Sequence, residues 1–382
     1  MKISKRPYFL ILSSLIFVLV SFYLACERDF SAINKNPNPP PANGPDTTSH
    51  NFTWQIDTFG VDGRGSSYLL DVAIVNENDL SASGGSQAGI WAVGEIHTAE
   101  TDTFDSLGNW VPPYNIARWN GNEWELLRTE APGFGFGTNY SIFAFSASDI
   151  WVGSGIPKHW NGIRWTFYGS GSGYPGGFRI NGIWGTSSSN LYFVGNGGNI
   201  VYYDGNTWQE LNSGTDIDIQ DIWGAQNPQT GEYEILAVAS QLNLPPLAKQ
   251  LLQIHNTTVT ILPDSGLPLG LQGIWFVPNK KYYITGDGVY YNTEIGQSWE
   301  HDTDHPHAFK HAIRGRNESD IMIVGSFGLL SHFNGSTWHH YSDDEIPGPQ
   351  GLYVSVNIKG NLVVAVGIVG GEQAIILRGV RD

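Results

Sequence analysis

The residues best equipped for chemistry gather in one stretch. Between His97 and Pro113 stand Glu100, Asp102, Phe104, Asp105 and Trp110, and Glu95 comes just before them. Carboxylates beside aromatic rings can work in two ways. The rings can stack on a sugar or anchor a partner's side chain while the carboxylates accept hydrogen bonds. Alternatively, two carboxylates can act as the acid and base of glycoside cleavage. Phe134 and Phe136 in a Gly-Phe-Gly-Phe-Gly run, Tyr174 and Arg179 are further candidates. The expected ligand-binding set is therefore Trp110, Asp102, Glu95, Phe134, Phe136, Tyr174 and Arg179. No Gly-x-Ser-x-Gly, His-Glu-x-x-His or phosphate-loop motif occurs, so the sequence names no catalytic residue and no reaction. His301, His305, His307 and His311 form a dense run beside Asp302 and Asp304, but at spacings that match no zinc signature. Neither a metal nor a cofactor is expected.

These residues need elements to position them, and internal repeats supply the elements. Ile183-Trp-Gly-Thr-Ser-Ser-Ser-Asn-Leu-Tyr-Phe-Val-Gly195 parallels Phe143-Ala-Phe-Ser-Ala-Ser-Asp-Ile-Trp-Val-Gly153 and Ile313-Arg-Gly-Arg-Asn-Glu-Ser-Asp-Ile-Met-Ile-Val-Gly325. In each, an apolar strand meets a polar turn, and a second strand ends in Val-Gly. A second signature follows: Trp119-Asn-Gly-Asn-Glu-Trp124, Trp160-Asn-Gly-Ile-Arg-Trp165, Tyr203-Asp-Gly-Asn-Thr-Trp208 and Phe333-Asn-Gly-Ser-Thr-Trp338. Asn-Gly between apolar flanks predicts a hairpin with a type I′ turn, whose two central residues both need positive φ. Each unit is thus four strands, a to d, repeating about every forty residues, which is the period of a β-propeller blade. No helical stripe competes with this pattern.

Units near 69–130, 141–168, 180–212, 219–262, 271–302, 311–342 and 351–380 predict an all-β propeller of four-stranded blades, seven by this count with six or eight open. The unit at 219–262 replaces the Asn-Gly form with His255-Asn-Thr-Thr. The last unit lacks a d strand, and Phe52-Thr-Trp-Gln-Ile-Asp57 looks like a d strand without a blade. Pairing the two closes the ring and removes an exposed edge. Of the fourteen tryptophans, Trp110 is the one outside the repeat register; blade packing accounts for the others. In this architecture the b–c and d–a loops share one face, which would carry the ligand-binding candidates. The arginines of the domain are mostly on expected c or d strands or in turns.

The pairing of Ile-Trp-Gly…Asp-Ile-Trp-x-Val-Gly with Trp-Asn-Gly-x-x-Trp resembles a repeat of exported bacterial β-propeller proteins. Asn292-Thr-Glu-Ile-Gly-Gln-Ser-Trp299 is similar to the Asp-box of sialidase-type propellers, with Glu294 where an aspartate is usual. The resemblance implies architecture, since propellers host enzymes, lectins and scaffolds alike. A binding or interaction module for protein or glycan, acting through the loop face, is the expected function. A glycan-active enzyme using carboxylates on that face is the alternative.

The N-terminus reads as an export signal. Lys2, Lys5 and Arg6 precede an uncharged apolar run from Tyr8 to Leu24, and Ala25 stands before Cys26, the only cysteine. This resembles the lipobox of bacterial lipoproteins, with Tyr23 where leucine is preferred. It implies a signal peptide over 1–25, a lipidated cysteine with an Asn/Pro-rich tether over 26–50, and the propeller over 51–382. The expected location is the bacterial cell envelope, membrane-anchored and facing the periplasm or the cell surface. With 36 acidic and 20 basic residues the net charge is −16, and removal of the leader takes away three cations and no acid. Nucleic acid is therefore not an expected partner, and the domain is expected to be a monomer. If Cys26 carries the lipid, Cys26→Ser should release the protein from membranes into the soluble fraction. A variant that stays in the membrane with an uncleaved N-terminus would show a spanning segment instead.

Overall fold

The computed structural model describes residues 47–60, 62–76, 89–130, 135–241 and 247–382. Cys26, the leader, most of the tether and Phe134 lie outside the described residues. The chain opens with β1 (Phe52–Phe59). Blade 1 contains β2 (Tyr68–Ile74), β3 (Ile90–Ile96), a small inserted hairpin of β4 (Thr103–Phe104) and β5 (Trp110–Val111), then β6 (Tyr114–Trp119) and β7 (Trp124–Leu127). Blade 2 is β8 (Ser141–Ser146), β9 (Asp149–Gly153), β10 (Pro157–Trp160) and β11 (Trp165–Phe167). Blade 3 is β12 (Ile180–Ser187), β13 (Asn190–Gly195), β14 (Ile200–Tyr203) and β15 (Trp208–Leu211). Blade 4 is β16 (Ile219–Gln226), β17 (Tyr233–Gln241), β18 (Ala248–His255) and β19 (Thr258–Leu262). Blade 5 is β20 (Leu271–Val277), β21 (Lys281–Gly286), β22 (Gly288–Asn292) and β23 (Glu300–Asp302). Blade 6 is β24 (Lys310–Asn317), β25 (Asp320–Gly325), β26 (Leu330–Phe333) and β27 (Trp338–His340). Blade 7 supplies β28 (Leu352–Lys359), β29 (Leu362–Val369) and β30 (Gln373–Arg381), and β1 completes it in the order β1-β30-β29-β28. The a strands of successive blades touch one another all the way round, so they form the inner wall of a closed seven-bladed propeller. Among the described residues no helix is long and apolar enough to cross a membrane.

The Ile-Trp-Gly signature has a packing reason. Trp184 of blade 3 lies against Gly224 of blade 4, where an added Cβ would come 2.4 Å from the indole. Trp275 of blade 5 meets Gly315 of blade 6 in the same way, at 2.6 Å. Each tryptophan fills the space that the next repeat's glycine leaves empty, so the motif is a contact between repeats. Trp91, Trp151, Trp184 and Trp275 are all buried.

The Asn-Gly turns join c to d as expected, but they are not type I′. Only the glycines, Gly121, Gly162, Gly205 and Gly335, have positive φ; the preceding Asn or Asp does not. That side chain instead caps the loop. Asn120 Oδ1 accepts from the backbone N–H groups of Asn122 and Glu123, both at 3.0 Å. Asp204 and Asn334 do the same in their blades. Four residues rather than two make the loop, so one glycine and one side-chain acceptor suffice.

The closing pair is extensive. β1 runs antiparallel to β30 over eight residue pairs, from Phe52↔Arg381 to Phe59↔Ala374. Arg378 on β30 donates to Asp57 Oδ2 at 2.8 and 3.1 Å and lies 4.1 Å over the Trp119 ring of blade 1. Arg381 reaches the buried Asp320 of blade 6. Deleting residues 51–58 should accordingly lower the stability of the whole domain by several kcal/mol, since it uncovers the β30 edge and removes the buried Trp54. A melting curve unchanged by the deletion would refute this closure.

Candidate functional site

The inserted hairpin builds a pocket at the b–c loop face. Its register pairs Phe104 with Trp110. Asp105 fixes its tip: Oδ1 accepts from the N–H groups of Leu107 and Asn109, at 2.9 and 2.8 Å. Phe104, Leu107 and Trp110 are 69%, 85% and 48% exposed on this braced turn. At the hairpin's base, Arg128 donates to the Pro112 carbonyl at 2.9 Å and stacks on Tyr114 at 3.7 Å. The ring of Phe136 meets Trp110 edge-on, with centroids 6.4 Å apart. Together with Glu95, His97, Asp102, Pro113, Asn115 and Gly137 these two rings line a cavity of about 210 Å³.

His97 holds the polar side of this cavity together. Strand alternation puts Glu95 and His97 on one side of the chain, and the hairpin returns Asp102 to the other ring nitrogen. His97 Nε2 is 3.0 Å from Glu95 Oε1, and Nδ1 is 2.6 Å from Asp102 Oδ2. A neutral imidazole has only one N–H, so two carboxylate acceptors favour the doubly protonated ring. Burial opposes that charge, but the bonds to Glu95 and Asp102 outweigh it and raise the His97 pKa. Burial likewise pushes Glu95 up, yet His97, Thr138 and Tyr68 outweigh it and hold the carboxyl below its ordinary range. Tyr68 donates to Glu95 Oε2 at 3.1 Å, and burial, with the Glu95 charge, pushes its phenol pKa far up. Asp102 sits in the left-handed region at φ 58°, a conformation that re-aims its side chain toward the histidine.

The crossover from β1 to β2 closes over His97. Ser67 Oγ accepts from the His97 backbone N–H at 2.9 Å. A Cβ on Gly65 would lie 2.6 Å from His97 Nδ1, so that glycine lets the backbone cover the ring. Beneath the pocket, Asn115 donates to the Gly137 and Thr129 carbonyls and accepts from the Thr129 N–H. The buried amine of Lys158 donates to Thr129 and Asn139 at 3.0 and 2.7 Å, with its pKa lowered by burial to about 8. This network fixes the loop that carries Phe136.

The structure brings four of the sequence candidates, Glu95, Asp102, Trp110 and Phe136, around one cavity. Two others stand apart. Tyr174 is buried between blades 2 and 3, with its ring 5.1 Å from that of Trp208 and 6.2 Å from that of Phe178. Arg179 lies over the Tyr140 ring at 4.2 Å, just before β12. Phe134 lies outside the described residues. Sequence reasoning missed His97 itself, which marks only the boundary of the insertion in the linear chain. Its two-residue spacing from Glu95 was the available signal. Arg314 is on the a strand β24, where both terminal nitrogens bind Asp221 of β16 at 2.8 Å. The histidine run is spread out: His301 stacks on Tyr290, His305 packs against Trp338 and His311 faces Ser326. Among the described residues, no three such side chains converge as a metal site.

No known family profile matches the chain, and no curated protein matches it. Solved structures do. YCF48 bound to a D1 peptide is 17% identical over 90% of this chain and 99% of its own, with a TM-score of 0.58. YCF48 from Cyanidioschyzon merolae is 14% identical over 85% and 98%, at 0.54. The computationally designed Ika8 protein is 14% identical over 84% and 99%, at 0.51. At these identities the likeness is one of fold, that of a β-propeller.

His97 should titrate above the ordinary histidine value of 6.5. Its ionic hold on the insertion is then complete below about pH 6.5 and lost as the pH rises through the raised value. Imidazole NMR on the full chain checks this. Asp102→Asn should bring the midpoint down, and a midpoint at or below 6.5 in the parent would contradict the raised value.

Proposed function

We propose that this chain is a membrane-anchored binding module that recognises a partner protein through its loop face. The observation that carries the reading is the braced hairpin, which holds Trp110 half exposed over a cavity lined by Glu95, Asp102 and Phe136. An exposed tryptophan costs solvation and serves no blade contact, whereas a tryptophan held rigid beside polar groups is the usual anchor of an interface. The propeller of similar fold that is bound to a D1 peptide supports a protein partner. Glycoside cleavage requires a carboxyl that stays protonated toward neutral pH. Glu95 is held ionised by its donors, which favours binding over catalysis.

Lipid on Cys26 is the proposed anchor, at a bacterial envelope membrane. The geometry suits it. Thr48 donates its hydroxyl to the Ser319 carbonyl at 2.6 Å and its N–H to the Asn334 carbonyl at 3.2 Å. Those carbonyls belong to the a–b and c–d turns of blade 6, on the face opposite the b–c loops. Thr48 therefore meets the ring on the far side from the pocket, which supports a tether arriving from that side.

Trp110→Ala should leave thermal stability nearly intact while lowering partner binding by at least about 1 kcal/mol. Trp208→Ala is the control: its ring stacks on Tyr203 at 4.1 Å and touches Tyr174 and Tyr168, so it should lose ~3–5 kcal/mol of stability. Peptide and glycan arrays with a glycosidase screen supply the readout. Retention of glycans alone, or sugar release, would replace the protein partner. Unfolding of Trp110→Ala to the extent of Trp208→Ala would remove the site.

A further inference from the structure

We propose that the cavity between Glu95, Asp102, Trp110 and Phe136 receives a lysine or arginine side chain of the partner, an inference that rests on the loop-face reading above.

The hydrogen bonds around the cavity lead there. Both His97 nitrogens are committed, to Glu95 and to Asp102. The Asn115 amide is committed to the Thr129 and Gly137 carbonyls. Glu95 Oε2 already accepts from Tyr68 and Thr138, and Asp102 Oδ2 from Thr101 at 2.8 Å as well as from His97. Among the described residues nothing donates to Asp102 Oδ1, although the side chain is 23% accessible. The spare capacity of the cavity's charged side chains is thus that of acceptors. A carboxylate or phosphate would face two carboxylates, with the indole N–H of Trp110 as the open donor among the lining side chains. A cationic donor matches this lining better.

Charge and shape narrow the choice further. Two carboxylates share one histidine, so the cluster keeps a net negative charge even with the ring protonated. The protein as a whole carries −16. The other wall is aromatic, and a cation is attracted to ring faces while its methylene stem packs on them. A volume of about 210 Å³ is below the ~300–1,000 Å³ usual for small-molecule sites and suits one long side chain. Phe104 and Leu107, on the same hairpin, give an apolar neighbour in the bound segment a surface to cover.

The test is a peptide array probed with the full chain, using peptides identical except for a central Lys, Arg, norleucine, Gln or Glu. Lysine and arginine peptides should bind at least tenfold more tightly than norleucine, Gln or Glu peptides, with a preference that weakens in added salt. Asp102→Asn, a residue type that tolerates positive φ, should erase most of that preference; if the variant misfolds, the peptide series on the unaltered chain decides between the outcomes. Equal binding of lysine and norleucine peptides, still abolished by Trp110→Ala, overturns the cation reading and leaves the loop face standing. Binding that neither Trp110→Ala nor Asp102→Asn changes overturns both. A preference for Glu, or retention of glycans without any peptide, also overturns the proposal.

Discussion

Everything in this molecule depends on one antiparallel pairing between segments from the two ends of the propeller. A propeller keeps only the short outer edges of its blades exposed, and the seventh blade has just three strands of its own. β1 supplies the fourth across more than three hundred residues of sequence. The cost of closing so large a loop grows only logarithmically with its length. The return is a buried tryptophan, eight residue pairs and an ion pair that also reaches blade 1 through Trp119. Asp320 beneath the seam accepts from His332 and Arg381, so blades 6 and 7 are tied by charge as well as packing.

The inner wall repeats this logic on a smaller scale. Asp71 on β2 accepts from the Ile142 N–H of blade 2 and the Ser355 hydroxyl of blade 7. Asp221 on β16 does the corresponding work for blades 4 to 6, through the Ile274 N–H and the Arg314 guanidinium. Two carboxylates on opposite arcs, Asp221 buried and Asp71 half-buried, thus bridge three blades each. Such groups are costly to bury unless fully bonded, and the cost enforces register among neighbouring a strands. A frame held this firmly leaves its loops free to vary.

The pocket uses that freedom in one blade only. Its rigidity comes from short-range devices: an aspartate that caps the hairpin tip, a glycine that lets the crossover cover the histidine, and a buried amine beneath the floor. With nearly every polar group already committed, the site presents a fixed pattern of charge and ring faces. Preorganisation of this kind saves the entropy of ordering side chains on binding. The exposed ring of Trp110 is braced edge-on by the half-buried Phe136.

The sequence by itself determined the repeat, and with it the strand order and the need for the N-terminal strand to close the ring; its count of seven blades left six or eight open, and the tertiary structure decided for seven. It could do so because strand alternation, turn chemistry and the inter-repeat tryptophan–glycine contact are local or strictly periodic. It also singled out Trp110, because a residue outside a repeat's register is visible without any coordinates. Glu95, Asp102 and Phe136 were legible as neighbours of that irregularity. What repeats less regularly was not legible. The turn type depended on a side-chain acceptor that competes with the backbone, and Tyr174 was drawn into the core by Trp208. Arg314 was matched to Asp221, ninety-three residues away. His97 became the centre of the site only when the insertion folded back to place Asp102 against its second nitrogen. Periodic contacts are encoded by spacing, whereas a histidine held between two carboxylates exists only once the tertiary fold has brought both within hydrogen-bond reach.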